Sequence, residues 1–197
     1  HKSYRALDAV VVSGTKLAGS IRSQIAEKVV NYNKQHFSDL IEKDYSFENL
    51  KFKPNLTIIQ VGSRPDSSAY VRSKLKAAQS SNIKSKLLKF DDSITEEELL
   101  EEIEKLNMDP KVNGLLIQLP LPKHIDETLV TNSVSTEKDV DGFDRYNVGE
   151  LAKRGGKPLF KPCTPNGIIE LIKQTGIQLR GKNAVVIGSS DIVGTPV

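Results

Sequence analysis

Apolar residues recur along this chain in two rhythms. Leu17, Ile21, Ile25 and Val29 fall four apart in "SGTKLAGSIRSQIAEKVVNYNKQ", which predicts a helix with Ser13 or Thr15 as its N-cap. "NLTIIQVG" is instead a short unbroken apolar run ended by Gly62, the pattern of a strand buried on both faces. "PDSSAYVRSKLKAAQSSN" opens on Pro65, suited to the first helical position, and continues as a helix. "KSKLLKF" reads as a strand. In "SITEEELLEEIEKLN", Thr95 followed three residues later by Glu98 forms a capping box. "VNGLLIQLPLP" is a second buried strand running into a turn stiffened by Pro120 and Pro122, where a cis bond fits. "HIDETLVTNSV" is a short helix, and "TEKDVDGFDRYNVGELAKRGGKPLFKPC" reads mostly as loop. "TPNGIIELIKQTG" predicts a helix with Thr164 at the N-cap, Pro165 at N1 and Gly176 at its C′ end. "KNAVVIG" predicts a last strand at residues 183–188. Residues 36–54 are mixed in character and read as a loop with a helical turn.

Strands alternate with helices, and most strands are apolar throughout. The expected fold class is therefore α/β, with a parallel sheet covered on both faces. There are no internal repeats and no low-complexity tracts.

Composition narrows the function classes. The 197 residues are 38% hydrophobic and 27% charged, as in ordinary globular domains. A net charge of +3, scattered among acidic runs such as "TEEELLEEIEK", gives no case for nucleic acid. Cys163 is the one cysteine, so no intrachain disulfide forms, and His1, His36 and His124 show no metal-ligand spacing. No stretch approaches membrane-spanning length. The sequence opens on His1 and stays free of acid until Asp8, as at the edge of a removed mitochondrial presequence or beside an added tag.

Five stretches carry candidate chemistry. Tyr70 and Lys74 are four apart and share a helix face, so a lysine beside a tyrosine hydroxyl could pass protons there; the plainer alternative is a snorkelling surface pair. Gln118 is the first polar side chain after a buried strand, where open α/β sheets place ligands, and its amide can both donate and accept. Asp139 and Asp141 precede Gly142. A carboxylate there suits the N–H donors of a 2-amino pyrimidinone, or merely caps a turn. Cys163 is either a nucleophile within spatial reach of His124 or, more plainly, a small buried residue leading into a helix. "GSSDIVGTP" is not the G-x-G-x-x-G fingerprint, yet a glycine loop after a strand could cradle a phosphate, with Ser189 and Ser190 adding hydroxyls.

Taken in order, "RPDSSAYVRSK", "GLLIQLPLP", "EKDVDGF", "PCTPNGI" and "GSSDIVGTPV" closely resemble the methylenetetrahydrofolate dehydrogenase/cyclohydrolase family, from about Ser13 to Val197. "RYNVGELAKRGGKP" resembles the corresponding region of fungal C1-tetrahydrofolate synthases, including the mitochondrial form. The resemblance implies oxidation of 5,10-methylene-tetrahydrofolate to the methenyl form with NADP or NAD, then hydrolysis to 10-formyl-tetrahydrofolate. It places a pterin-stacking role on Tyr70, proton handling on Lys74, support of that lysine on Gln118 and pterin holding on Asp141. Ile117 and Leu119 join these four as substrate-binding residues, and Thr164, Gly188, Ser189 and Ser190 fall in the cofactor site. No metal is implied. Family members often carry Arg where Ser189 stands, which weakens the expected preference for NADP.

The resulting expectation is an N-terminal folate-binding catalytic domain over residues 1–160, with an insertion at 36–54. Residues 161–197 would begin an NAD(P)-binding, Rossmann-like domain, incomplete in this sequence, its first strand at 183–188. The family continues for roughly a hundred residues more, so these 197 residues alone are expected to lack dehydrogenase activity. Homodimerisation through the cofactor domain, and a mitochondrial or cytoplasmic location, follow from the same resemblance. The alternative is a shortened, non-catalytic homologue acting as a structural or binding subunit of a larger assembly.

Overall fold

The computed structural model describes residues 11–40 and 44–197. The basic stretch up to Val10 lies outside the described residues. Helix α1, Gly14–Phe37, begins where Ser13 Oγ accepts a hydrogen bond from Lys16 N at 3.2 Å. A short 3₁₀ turn, Ser38–Leu40, follows. Strand β1 (Asn55–Val61), α2 (Pro65–Gln79), β2 (Lys84–Phe90), α3 (Glu96–Met108) and β3 (Gly114–Ile117) then alternate. Three helices complete the order: α4 (Glu127–Asn132), α5 (Arg145–Ala152) and α6 (Cys163–Lys173).

The three strands form one parallel sheet in the order β2-β1-β3. Ile58 of β1 stands between Leu87 of β2 and Leu116 of β3. Parallel strands need crossovers, and α2 and α3 provide them. A lone bridge from Leu115 to Asp139 extends the pairing beyond β3.

The pleat sorts the apolar run of β1 into two half-cores. Ile59 and Val61 face one way, against Leu99, Ile103 and Leu106 of α3 and Val130 of α4. Ile58 faces the other way, with Leu116, Val71 and Leu75 of α2, and Val140. Burial on both faces explains why β1 and β3 lack polar alternation. The α3 capping box forms as the spacing predicts: Thr95 Oγ1 accepts from Glu98 N, and Glu98 Oε2 accepts from Thr95 N. At the other end of α3, Lys138 Nζ donates to the carbonyls of Leu106, Asn107 and Asp109 at 2.7–2.9 Å. A lysine there meets the negative end of the helix dipole.

His36 and Phe37 of the 36–54 segment still belong to α1, and its described residues from 44 onward fold back on that helix. The side chain of Asn33, fully buried, clamps Phe52 by donating to its carbonyl at 2.8 Å and accepting from its amide at 2.9 Å. The Tyr32 ring packs on Phe52 and His36.

Four expectations need correction. Residues 145–152, read as loop, form α5, because the Asp144 carboxylate caps the amides of Tyr146 and Asn147. Helix α6 starts at Cys163 with Pro162 at the N-cap, so Thr164 is not the cap. Pro165 tolerates this, since amides of the first helical turn need no intrahelical partner. Gly176, at φ 72°, lies two residues beyond the C-cap Gln174. The strand expected at 183–188 does not form. Among the described residues no strand pairs with it, and Val185 and Ile187 are 86% and 98% exposed; an extended segment without a neighbour has no ladder.

Candidate active site

Lys74 and Gln118 reach one point from two elements. Lys74 is on the third turn of α2, whose start is set by Pro65 at its first position. Gln118 follows β3 at its carboxyl end and continues the ladder, donating N–H to Ile59 O at 2.8 Å. Its side-chain Nε2 donates to Leu119 O at 2.8 Å, which orients the amide. Oε1 therefore faces α2 and accepts from Lys74 Nζ at 3.1 Å. Leu119 precedes Pro120 through a cis peptide bond, and Leu121 N donates to Glu127 Oε1 on α4 at 2.7 Å.

Asp141 joins this pair from a loop beside β3. Burial pushes its carboxyl above the usual aspartate range, while the Lys74 charge and a hydrogen bond from Cys163 pull the other way. Two glycines allow the close packing. A side chain at Gly114 would strike Val140, and Gly142, at φ 67°, has the Phe160 carbonyl 2.9 Å from where a Cβ would stand.

Cys163 is an exposed residue, not the buried one expected, because it stands at the start of α6. Its sulfur nevertheless turns inward, 3.6 Å from the Val140 carbonyl. Burial of that sulfur and the adjacent Asp141 carboxylate push the thiol up to about 11, so it stays protonated at neutral pH and is a poor nucleophile. His124 is engaged elsewhere, with Nε2 2.9 Å from Ile94 O.

The remaining candidates divide. Tyr70 lies one turn before Lys74 on α2 and is 67% exposed. Ile117 puts its side chain into the core at 5% exposure, so only its backbone is available to a ligand. Leu119 is half-buried and lines a separate cavity of about 570 Å³ with Phe143, Leu151, Pro162 and Ile192. Neither Lys74, Gln118 nor Asp141 lines that cavity.

Thr164, Gly188, Ser189 and Ser190 are all exposed. Gly188 turns the chain at φ 125°, and a side chain at Gly194 would collide with the Gly188 carbonyl. Ser190 O accepts from Thr195 N at 3.0 Å, closing the turn. A tight glycine turn flanked by two exposed hydroxyls fits a phosphate-bearing cofactor such as NAD(P).

Asp139, singled out in the sequence, lies behind Asp141 with two residues that sequence reasoning missed, Asp144 and Asn147. The three are 4%, 5% and 0% exposed and hydrogen-bonded together. Burial pushes the Asp139 carboxyl up. The D-x-x-N spacing from Asp144 to Asn147 was the available signal, as an N-cap and its N3 residue.

The site residues sit within sequence matches to known proteins. Residues 12–141 match the tetrahydrofolate dehydrogenase/cyclohydrolase catalytic domain, and residues 162–197 match the NAD(P)-binding domain of the same enzymes. The mitochondrial C-1-tetrahydrofolate synthase of Saccharomyces cerevisiae is 51% identical over 187 residues, covering 95% of this chain and 18% of the yeast protein. The cytoplasmic yeast C-1-tetrahydrofolate synthase is 53% identical over 146 residues, 74% of this chain and 15% of that protein. The bifunctional protein FolD of Bacillus cytotoxicus is 43% identical, covering 96% of this chain and 60% of its own length. The chain thus spans from under a fifth to three-fifths of these relatives. Among solved structures, the Trypanosoma brucei methylenetetrahydrofolate dehydrogenase-cyclohydrolase, complexed with NADP and an inhibitor, superposes with a TM-score of 0.85 at 32% identity, over 95% of this chain and 59% of that one. The Bombyx mori methylenetetrahydrofolate dehydrogenase does so with 0.85 at 36% identity, with the same coverage. The catalytic-domain match alone covers residues 12–141, well over half of the sequence, and the solved structures repeat the fold: the chain belongs to the tetrahydrofolate dehydrogenase/cyclohydrolase family.

Proposed function

We propose that this chain supplies the folate site of a bifunctional enzyme that oxidises 5,10-methylene-tetrahydrofolate to the methenyl form and hydrolyses that to 10-formyl-tetrahydrofolate. The observation that carries the reading is the Lys74 Nζ to Gln118 Oε1 hydrogen bond, with Asp141 close enough to feel the lysine charge.

Each group has a role that its surroundings suit. Tyr70, exposed one turn before Lys74, offers a ring face for the pterin to stack on. The Asp141 carboxylate accepts from the pterin's amino and ring N–H groups, which compensates for its burial. The backbones of Ile117 and Leu119 flank the ligand. Lys74 moves the proton when water adds to the methenyl carbon, and Gln118 fixes where its ammonium or amine points. In the dehydrogenase step the methylene carbon loses hydride, and a bound nicotinamide supplies the acceptor. Gly188, Ser189, Ser190 and Thr164 would hold that cofactor, and Ser189 offers a hydroxyl rather than a guanidinium to a 2′-phosphate, which tilts the choice away from NADP.

A non-catalytic structural subunit gains no support from this site, since Tyr70, Lys74, Gln118 and Asp141 are all present, with the last three clustered. Homodimerisation and membership of a larger assembly accord with the family. The similarity to both yeast isoforms fits either mitochondrion or cytoplasm.

The test is Lys74→Met in the full-length protein. Loss of the proton carrier should lower methenyl hydrolysis by a factor on the order of 10²–10⁴ while some hydride transfer survives. Both activities unchanged would overturn the assignment.

A further inference from the structure

We propose that Asp139, Asp144 and Asn147 form a buried positioning knot that sets Asp141 against Lys74, and so governs folate binding rather than fold stability alone. This deepens the folate reading above and rests on it.

The geometry pins the Asp141 loop from both sides through one residue. Ahead of Asp141, the Asp139 backbone is bridged to Leu115, and Leu115 N donates to Lys138 O at 2.7 Å. This is β3, the strand that Gln118 follows. Behind Asp141, the Asp139 side chain takes over. Its Oδ1 accepts from Gly142 N at 3.1 Å, and its Oδ2 accepts from Asp144 N at 2.9 Å. The frame that carries Gln118 therefore also sets the two residues either side of Val140–Asp141.

Asn147 ties this knot to the segment that leads into α6. Its Nδ2 donates to Asp139 Oδ2 at 3.2 Å and to Asp144 Oδ2 at 2.7 Å. Its Oδ1 accepts from Phe160 N at 3.1 Å. Phe160 leads into α6 and presents its carbonyl to Gly142, so the same amide sets the distance from Asp141 to Cys163. Side-chain and backbone donors converge, and each Asn147 amide atom is used.

Two carboxylates brought together in a buried site are an expensive way to hold a loop, and an apolar plug of similar volume would often be more stable. What hydrogen bonds supply and apolar packing does not is fixed direction. The loop they direct carries the one carboxylate placed to read the ligand. An acceptor misplaced by about 1 Å can cost on the order of 10²-fold in rate, so the knot's precision matters where Asp141 acts.

The experiment is steady-state kinetics and thermal unfolding of full-length variants. Asp139→Asn keeps the shape but turns one acceptor into a donor that faces N–H groups. Its KM for 5,10-methylene-tetrahydrofolate should rise about tenfold, with the KM for the nicotinamide cofactor unchanged. A purely structural role would lower Tm and the active fraction but leave the folate KM of folded enzyme at its wild-type value, and that result overturns the proposal. Asp144→Asn guards against a first variant that fails to fold. Asn caps helices as well as Asp, so α5 survives while Asn147 loses an acceptor, and the folate KM should again rise. Asp141→Ala is run alongside. If it leaves the folate KM unchanged, the folate reading itself falls. If it raises that KM while Asp139→Asn and Asp144→Asn do not, only the positioning role falls.

Discussion

Lys74 Nζ donates to Gln118 Oε1 across 3.1 Å, joining α2 to the carboxyl end of β3. The Gln118 amide cannot easily turn over, because its Nε2 is spent on Leu119 O. The acceptor is a neutral amide, so it gives the lysine a direction and no ion pair.

Gln118→Glu tests that distinction. A carboxylate at this position would form an ion pair and hold the amine charged to higher pH. Methenyl hydrolysis should fall at least tenfold at neutral pH, as expected when a proton carrier is held in one state, and its pH optimum should move upward. A pH–rate profile of the full-length variant measures both. An unchanged profile would mean that Gln118 does not act through Lys74.

Asp141 should cost the ligand-free protein stability. Burial is the first cause of its raised carboxyl and outweighs the Lys74 charge. The folded state therefore binds the proton more tightly than the unfolded chain. Stability declines as pH rises from the ordinary aspartate value of 3.8 through the raised folded value, and the penalty is complete above it. Asp141→Asn removes the penalty, so Tm should rise by a few degrees at neutral pH. The gain should shrink as pH falls and vanish below about pH 4. Folate binding should be lost in the same variant. Thermal unfolding without ligand, across that pH range, measures the first effect.

The legible parts of the sequence were those governed by local spacing. Thr95 and Glu98 specify the start of α3 within four residues, and Tyr70 and Lys74 share a helix face whatever surrounds them. The apolar runs at β1 and β3 signalled burial on both faces. Strand formation at 183–188 was not decided locally, since a strand needs a neighbour. Helix α5 was hidden because D-G-F-D reads as turn chemistry, while Asp144 also serves as a cap. Asn147, by its spacing from Asp144, signals a cap and says nothing of burial. Its environment is assembled from residues eight before it and thirteen after it.

Ser189 offers the simplest test of cofactor choice. It is exposed beside the Gly188 turn. An arginine there presents a planar cation to a ribose 2′-phosphate. Ser189→Arg in the full-length protein should raise kcat/KM for NADP relative to NAD by about tenfold, the equivalent of one charge-assisted hydrogen bond. No change in the ratio would place 2′-phosphate recognition elsewhere.

Gly142 and Gly155 separate backbone strain from close packing. Both have positive φ, 67° and 74°, so alanine is strained at each. At Gly155 a Cβ meets open space, whereas at Gly142 it would stand 2.9 Å from the Phe160 carbonyl. Gly155→Ala should therefore cost about 1 kcal/mol. Gly142→Ala should cost roughly 1–3 kcal/mol more, since the loop must also retreat from the lead-in to α6. Denaturant unfolding of the two variants gives the difference directly. Because Gly142 follows Asp141, the same retreat should raise the folate KM of Gly142→Ala and leave that of Gly155→Ala unchanged. Equal unfolding costs for the two would show that the Phe160 carbonyl yields freely and does not hold the Asp141 loop in place.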